Sequence, residues 1–300
     1  MSHFHFIDGT AYDASAFGET DTTTGEWKAK TSPSVTYGTN GFLILKDGNT
    51  ITDQSSNSNA FTLGGGTLTD LKDNPDNVFA TMNPLDNYYA GSTFSHGNNT
   101  INTGSGGYAA NTSTLGMVSG KWYCEIKAVQ IYNGYAQFGI KGKPATAAND
   151  KGGTGTDGYI YTASGGNKVN NNTATSYGTA WNNNDIIGIA VDLDNNKLYF
   201  SRNGTWQNSG DPTSGSTGTG AAFTITSASS TPLGAYFPSL SNYDGSGYVK
   251  FEANFGNGYF GTTAITTNSG NGYSGAEGSS KFNYTVPAGY SALSTKGLNE

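Results

Sequence analysis

Two apolar runs set one tight turn apart leave this chain little choice of fold. Asp185-Ile186-Ile187-Gly188-Ile189-Ala190-Val191-Asp192 has a near-continuous apolar centre, and Leu198-Tyr199-Phe200-Ser201 follows it across the turn Asp194-Asn195-Asn196. Both runs are short and rich in β-branched and aromatic residues, so they read as paired strands inside a sheet. Trp122-Tyr123-Cys124-Glu125-Ile126-Lys127-Ala128-Val129 alternates apolar and polar in its middle, the pattern of a half-buried strand. Tyr135–Ile140, Pro232–Leu240 and Gly247–Phe255 supply three more, and Arg202-Asn203-Gly204-Thr205 is a further turn. With 44 Gly, 19 Tyr and more aromatic than charged residues (13% against 12%), the composition does not suit helices. The Gly, Asn, Ser and Thr between runs are turn formers. The expected fold class is all-β: an antiparallel β-sandwich with long loops and an irregular N-terminal arm. A chain of 300 residues has room for one large domain of this kind or two smaller ones.

Outside these runs the pattern is looser. Residues 1–30 scatter Phe4, Phe6, Tyr12, Phe17 and Trp27 among Asp, Thr and Gly without a helix or strand period, and read as an arm packing its aromatics onto another surface. Gly41–Lys46 is a short strand closed by Asp47-Gly48-Asn49. Phe61–Leu63 and Thr67–Thr69 read as a strand pair around Gly64-Gly65-Gly66, and Val78–Met82 as a strand. Near the end, Phe282–Val286 suits an edge strand finished by Pro287. Four polar loops, about 142–158, 165–184, 207–220 and 261–280, exceed what a minimal sandwich needs, which points to function or mobility. The expected organisation is an arm and small β region over 1–84, the sandwich over 85–260, and an extension over 261–300 that packs back on it.

Charge and hydropathy narrow the partners. A net charge of -7 and a pI near 4.9, with no basic patch, argue against nucleic acid. No apolar run approaches the roughly 20 residues of a spanning helix, so no membrane insertion is expected. No charged segment precedes an apolar one at the N-terminus, so no signal peptide is expected either. Cys124 is alone and cannot make an intrachain disulfide. These absences suit a virion component made in a host cytoplasm and released by lysis.

Six segments match a known family in order. Gly120-Lys121-Trp122-Tyr123-Cys124-Glu125-Ile126, Phe138-Gly139-Ile140, Asn184–Asp192, Lys197–Gly204, Tyr236-Phe237-Pro238-Ser239-Leu240 and Val249–Gly256 resemble successive strands of SPRY domains, which have a concanavalin-like sandwich. The resemblance covers roughly residues 85–260. The flanks resemble virion proteins of tailed phages, especially aquatic ones. Asp8-Gly9-Thr10, Phe17–Asp21, Gly25–Lys28, Tyr37–Phe42, Asn77–Leu85 and Val286–Leu293 carry that likeness. It implies a tail-fibre or capsid-appendage protein, virion proteins as partners, and a homo-oligomer, a trimer where the chain belongs to a fibre.

The residues offer little for catalysis. Sandwich glycanases use Glu-x-Asp-x-x-Glu on an inner strand, which does not occur here. Glu125 and Glu252 fall on strands and read as solvent-facing carboxylates. No Ser or Cys sits in a nucleophile-elbow context. His3 and His5 would share a face of an extended arm, but no third metal ligand is indicated. Asp192-Leu193-Asp194-Asn195-Asn196 alternates oxygen ligands yet lacks the Gly and Glu of a calcium loop, and reads as a hairpin turn. No metal or cofactor is expected. Aromatics beside Asn-rich loops are the better candidates for binding, because ring faces stack on sugars while amides give direction. Tyr177, Trp181, Asn182, Asn183 and Trp206 are the candidate ligand-binding residues, with Trp181 expected half exposed. The expected function is a non-enzymatic virion surface protein for decoration or host attachment, binding a host glycan or protein. The alternatives are a non-viral SPRY module that binds a protein partner, and a glycan-cleaving enzyme.

Overall fold

A computed structural model describes residues 3–299 except 23–24, 26, 31, 47–49, 66–71, 74–76, 87–90, 105–107, 148–149, 244–246, 267–273 and 277. Contacts divide the chain into two units, 1–78 and 79–298.

The first unit is a pair of small ribbons, not an irregular arm. Strand β1 (Phe4–Phe6) pairs antiparallel with β4 (Phe42–Ile44), and β2 (Gly18–Thr20) with β3 (Trp27–Ala29). Its apolar core is slight: Tyr37 and Leu43 are buried, while Phe4, Phe6 and Trp27 stay 40–50% exposed. Polar contacts do much of the organising. Asp53 is buried and accepts from the backbone N–H groups of Leu43, Ser55 and Asn59 (2.8–3.0 Å). Burial alone would raise its pKa, but these bonds outweigh it and hold the carboxyl well below the usual range. Periodicity cannot reveal such a unit, since its strands are three residues long and its order comes from side-chain bonds to the backbone. The expected turn at 47–49 and the second half of the expected pair at 61–69 lie outside the described residues.

The second unit is the sandwich. One sheet runs, in spatial order, β12 (Thr173–Ser176), β11 (Asn167–Asn170), β10 (Gly158–Thr162), β9 (Ala136–Lys141), β17 (Phe237–Asn242) and β7 (Ala109–Thr112), with strands numbered in chain order. The other runs β15 (Thr205–Trp206), β14 (Lys197–Arg202), β13 (Ile186–Asp192), β8 (Lys121–Gln130), β18 (Lys250–Asn254), β6 (Thr100–Asn102) and β5 (Thr93–Ser95). Onto it β16 (Phe223–Thr224) pairs with β14, and β21 (Ser291–Ala292) with β8. A small hairpin joins β19 (Tyr259–Phe260) to β20 (Thr263–Ala264). The chain closes on one helical turn, α1 (Thr295–Leu298). Among the described residues no helix is long and apolar enough to cross a membrane.

The apolar runs make the core as their pattern requires. Trp122, Phe138, Ile187, Ile189, Val191, Phe200 and Phe255 are all buried. Register sets Cys124 beside Ile189 and Ile126 beside Ile187 across the β8–β13 pair, so buried apolar side chains line up on neighbouring strands. Gly188 is glycine for a packing reason. A Cβ there would come within 2.5 Å of Ser201 Oγ and 2.8 Å of Tyr123 Oη.

The C-terminal segment is built into this core. Strand β18 pairs with β8 from Glu125 to Gln130, and β21 takes the place beside Trp122 and Tyr123, running parallel. Phe282, Tyr290, Ala292 and Leu293 are buried, and Ala80 N–H donates to the Leu293 carbonyl (2.8 Å). The edge strand expected at Phe282–Pro287 is absent, and the pairing falls instead at Ser291–Ala292. Two other expectations change. Residues 165–184 contain the β11–β12 hairpin, turning through Asn171 and Asn172 with φ of 50° and 60°, which Asn tolerates. Residues 78–82 make only isolated bridges, Phe79 with Ser294 and Met82 with Ser113.

Candidate functional site

The strongest site geometry surrounds the turn between β14 and β15. Asn203 (φ 49°) and Gly204 (φ 79°) both occupy the left-handed region, the conformation of a two-residue hairpin turn matched to strand twist. Trp206 and Gln207 follow at once. Two open clefts flank this hairpin.

The first cleft, of ≈ 350 Å³, is lined by Trp206, Gly210, Asp211, Pro212, Tyr284 and Pro287, with Gly204, Thr213 and Thr285. Its walls come from distant parts of the chain. Trp206 stands edge-on to Tyr123 at 6.3 Å between centroids. The loop after β15 is held by Tyr290 Oη, which donates to the Pro212 carbonyl (2.9 Å). Asp211 accepts from the N–H (2.9 Å) and hydroxyl (2.6 Å) of Thr213, and these bonds keep its carboxyl below the ordinary pKa. Tyr284 is placed by Glu125, which accepts from the N–H groups of Asn283 (2.8 Å) and Tyr284 (2.9 Å) and from Tyr123 Oη (2.9 Å).

Glu125 is therefore not a solvent-facing strand carboxylate. It is fully buried, because Phe282, Asn283 and Tyr284 cover the face of β8 that carries Tyr123 and Glu125. Burial dominates its titration and pushes the pKa up to about 7, against the opposing pull of its hydrogen bonds. Glu252 is half-buried on β18.

The second cleft, of ≈ 360 Å³, is polar and lined by Thr179, Arg202, Asn203, Thr205 and Gln207. Asp185 braces it. Its carboxylate accepts from Asn182 N (2.7 Å), Arg202 Nε (2.9 Å) and Asn203 Nδ2 (2.6 Å), while Asn203 Oδ1 takes the Ile186 N–H (2.9 Å). Burial alone would raise the Asp185 pKa, but the bonds from Asn182, Asn203 and Arg202 and the guanidinium charge lower it. Gln207 is buried and accepts from Thr179 N (2.8 Å) while donating to the Thr205 carbonyl (2.8 Å). Mostly spoken-for polar groups on a fixed hairpin make a rigid rim.

The candidate residues from the sequence scatter over this region. Trp206 alone lines a described cleft. Trp181 is 2% exposed, packed 6.2 Å from Tyr161 in the core, so it presents no face for stacking. It follows a polar loop in sequence, but its ring turns inward beside Tyr161, and the Ala163 carbonyl just after β10 takes its backbone N–H (3.2 Å). Tyr177 is half-buried, edge-on to Tyr161 (5.7 Å) and Phe200 (6.3 Å). Asn182 and Asn183 are exposed, and Asn183 Oδ1 accepts from Ile131 N (2.7 Å), a structural bond. Arg202, Asp211, Tyr284 and Pro287 line the clefts without being marked as site residues by the sequence. The first lies in a recognisable turn, but Tyr284 and Pro287 reach the cleft only because the tail folds over β8.

The other motifs resolve locally. His5 Nδ1 is 2.8 Å from Tyr37 Oη. Asp192 accepts from Asn195 N and Nδ2 (both 2.9 Å) and lies 3.4 Å from Lys121 Nζ, so this oxygen-rich segment is a self-bonded hairpin turn. Among the described residues no three His, Cys, Asp or Glu side chains converge as metal ligands do.

Both clefts lie against strands of one recognised segment. Residues 121–257 match the SPRY domain. The matched segment thus supplies β8 to β18, the Asp185 brace and the Trp206 wall, while Tyr284, Thr285 and Pro287 lie beyond it. Among solved structures, the crystal structure of the SPRY domain of human HERC1 is similar, at 18% identity and a TM-score of 0.45, covering 57% of this chain and 96% of that one. No curated protein matches the chain.

Proposed function

We propose that this chain is a non-enzymatic recognition protein whose SPRY segment holds a protein partner in the clefts beside β15. The observation that carries this reading is the first cleft itself. It combines two aromatic walls, Trp206 and Tyr284, two prolines and one carboxylate on a braced frame. Large rings supply contact area at small entropic cost, and a prearranged rim supplies direction. Two-carboxylate glycan cleavage needs a pair of acids about 5–10 Å apart across one site. The linings of the two clefts hold a single carboxylate, Asp211.

The flanking motifs support a finer placement, on a virion surface as a tail or capsid appendage, with other virion proteins as neighbours and the clefts turned to the host. A host-surface protein fits the mixed apolar and amide lining better than a glycan alone would, since the proline rings carry no polar side-chain group to direct sugar hydroxyls. Assembly as a homo-oligomer belongs to the same placement.

The test is in-cell photo-crosslinking from a probe at Thr213, with Thr285→Arg as the blocking variant. Thr285 is exposed on the rim, so an arginine there fills the cleft without entering the core. A cleft partner loses at least about tenfold in yield when a central contact worth about 2 kcal/mol is blocked, while the melting temperature holds. Equal crosslinking by both proteins would place the binding surface elsewhere. Release of reducing sugar by the wild type would restore the enzyme reading. Mass spectrometry of purified particles decides the virion placement.

A further inference from the structure

A cluster of three buried charged groups lies on the other sheet, apart from both clefts. Lys141 ends β9 with its side chain 1% exposed, and its Nζ meets the Asp150 carboxylate, itself 8% exposed. The same ammonium lies 3.3 Å from the Lys151 carbonyl. Asp86, 4% exposed, is the third group. It accepts from Thr112 N (2.7 Å), Thr112 Oγ1 (2.6 Å) and Ala145 N (3.2 Å). Asp150 takes the next N–H along, that of Thr146 (3.2 Å). Consecutive backbone amides, 145 and 146, therefore bind one carboxyl group each, Asp86 and Asp150, and Lys141 pairs with the second. The Lys141 charge acts on Asp86, yet burial dominates and raises the Asp86 pKa.

Burying an amine and two acids this deeply is costly unless their charges are compensated. Lys141 brings a primary amine and Asp150 a carboxyl group into direct contact within the fold. These are the two reactants of an amide bond, held in contact by the fold. We propose that Lys141 and Asp150 condense into an intramolecular isopeptide bond, with Asp86 as the proton-carrying acid beside them. The Lys141 Nζ lone pair forms a bond to Asp150 Cγ. The tetrahedral centre then expels one carboxyl oxygen, which leaves as water with the proton lost by the amine, Asp86 passing that proton across. The balance is one ammonium and one carboxylate in, one amide and one water out, with no oxidant or cofactor. The cross-link ties the end of β9 to the loop before β10 and clamps this corner of the sheet.

Intact-mass spectrometry of the denatured full chain tests this directly. The wild type should be lighter than its sequence by one water, and digestion should yield a branched peptide joining Lys141 to Asp150. Lys141→Arg and Asp150→Ala should each run at their full sequence mass. Asp86→Asn should also run at full mass while keeping a cooperative melt, which assigns the acid. A wild type at full sequence mass after days at neutral pH, or a lost water mapped to another peptide, overturns the proposal and leaves a buried ion pair. Asp86→Asn lighter by one water overturns the role given to Asp86.

Discussion

Glu125 should make the sandwich lose stability as the solution becomes less acidic, the reverse of what most paired carboxylates do. Its folded pKa is raised to about 7 from an ordinary 4.5, burial being the chief cause. The folded protein therefore holds this proton more tightly than the unfolded chain does. The favourable contribution is complete below about 4.5, shrinks as pH rises, and is gone above about 7. A shift of that size is worth of order 3 kcal/mol, at about 1.4 kcal/mol per pKa unit. Glu125→Gln removes the titration while keeping shape. It also retains one carbonyl oxygen for Tyr284 N and Tyr123 Oη, as the protonated acid does. The measurement is urea unfolding of both proteins at pH 4.5, 6 and 8 at constant ionic strength. Other titrating groups cancel in the difference between the two. That difference should move in the variant's favour by of order 3 kcal/mol across the range. Parallel stability profiles would show that Glu125 is solvated, and with it that the tail does not seal this face of β8.

Three further outcomes follow from the packing. Trp181→Ala should lower stability by about 3–5 kcal/mol, read by chemical denaturation, because a core indole is lost and not a binding face. Ending the chain at Lys281 removes the buried side chains of Phe282, Tyr290 and Leu293, about 1.5–3 kcal/mol each. The sum rivals the whole stability of a domain, so the truncated protein should be recovered only from inclusion bodies. Asp185→Asn should cost about 1–2 kcal/mol through weakened bonds to Arg202 and Asn203. Because the Asp185 pKa is lowered, its contribution exists above 3.8 and fades as pH falls below that, so urea midpoints of variant and wild type should converge in acid.

The sandwich was legible because its strands carry their own signal. Ile186–Val191 and Leu198–Phe200 are apolar without interruption, and the turn between them is made of Asp and Asn, so pairing, order and burial all follow locally. The cleft was legible only in part. Trp206 follows a two-residue hairpin turn and could be placed. Trp181 could not, since a ring after a polar loop can turn inward or outward and nearby residues do not decide which. Glu125 misled for a related reason. Alternation along β8 marks two faces, but what covers the second face is written at Phe282–Tyr284, far along the chain. The β11–β12 hairpin escaped because its strands, Asn-Lys-Val-Asn and Thr-Ala-Thr-Ser, hold Val169 as their one large apolar residue and the outer strand is all exposed, a composition shared with loops.

The parallel strand β21 also sets an order of events during synthesis. Strand β8 gains β13 and β18 as translation proceeds, but the place beside Trp122 and Tyr123 is filled by Ser291 and Ala292. Until those residues leave the ribosome, the middle of the sheet keeps an open backbone edge and Glu125 lacks two of its donors. Closing a loop of this length is slow compared with closing a hairpin. The nascent sandwich thus waits, aggregation-prone along that edge, until Ser291 and Ala292 lock it.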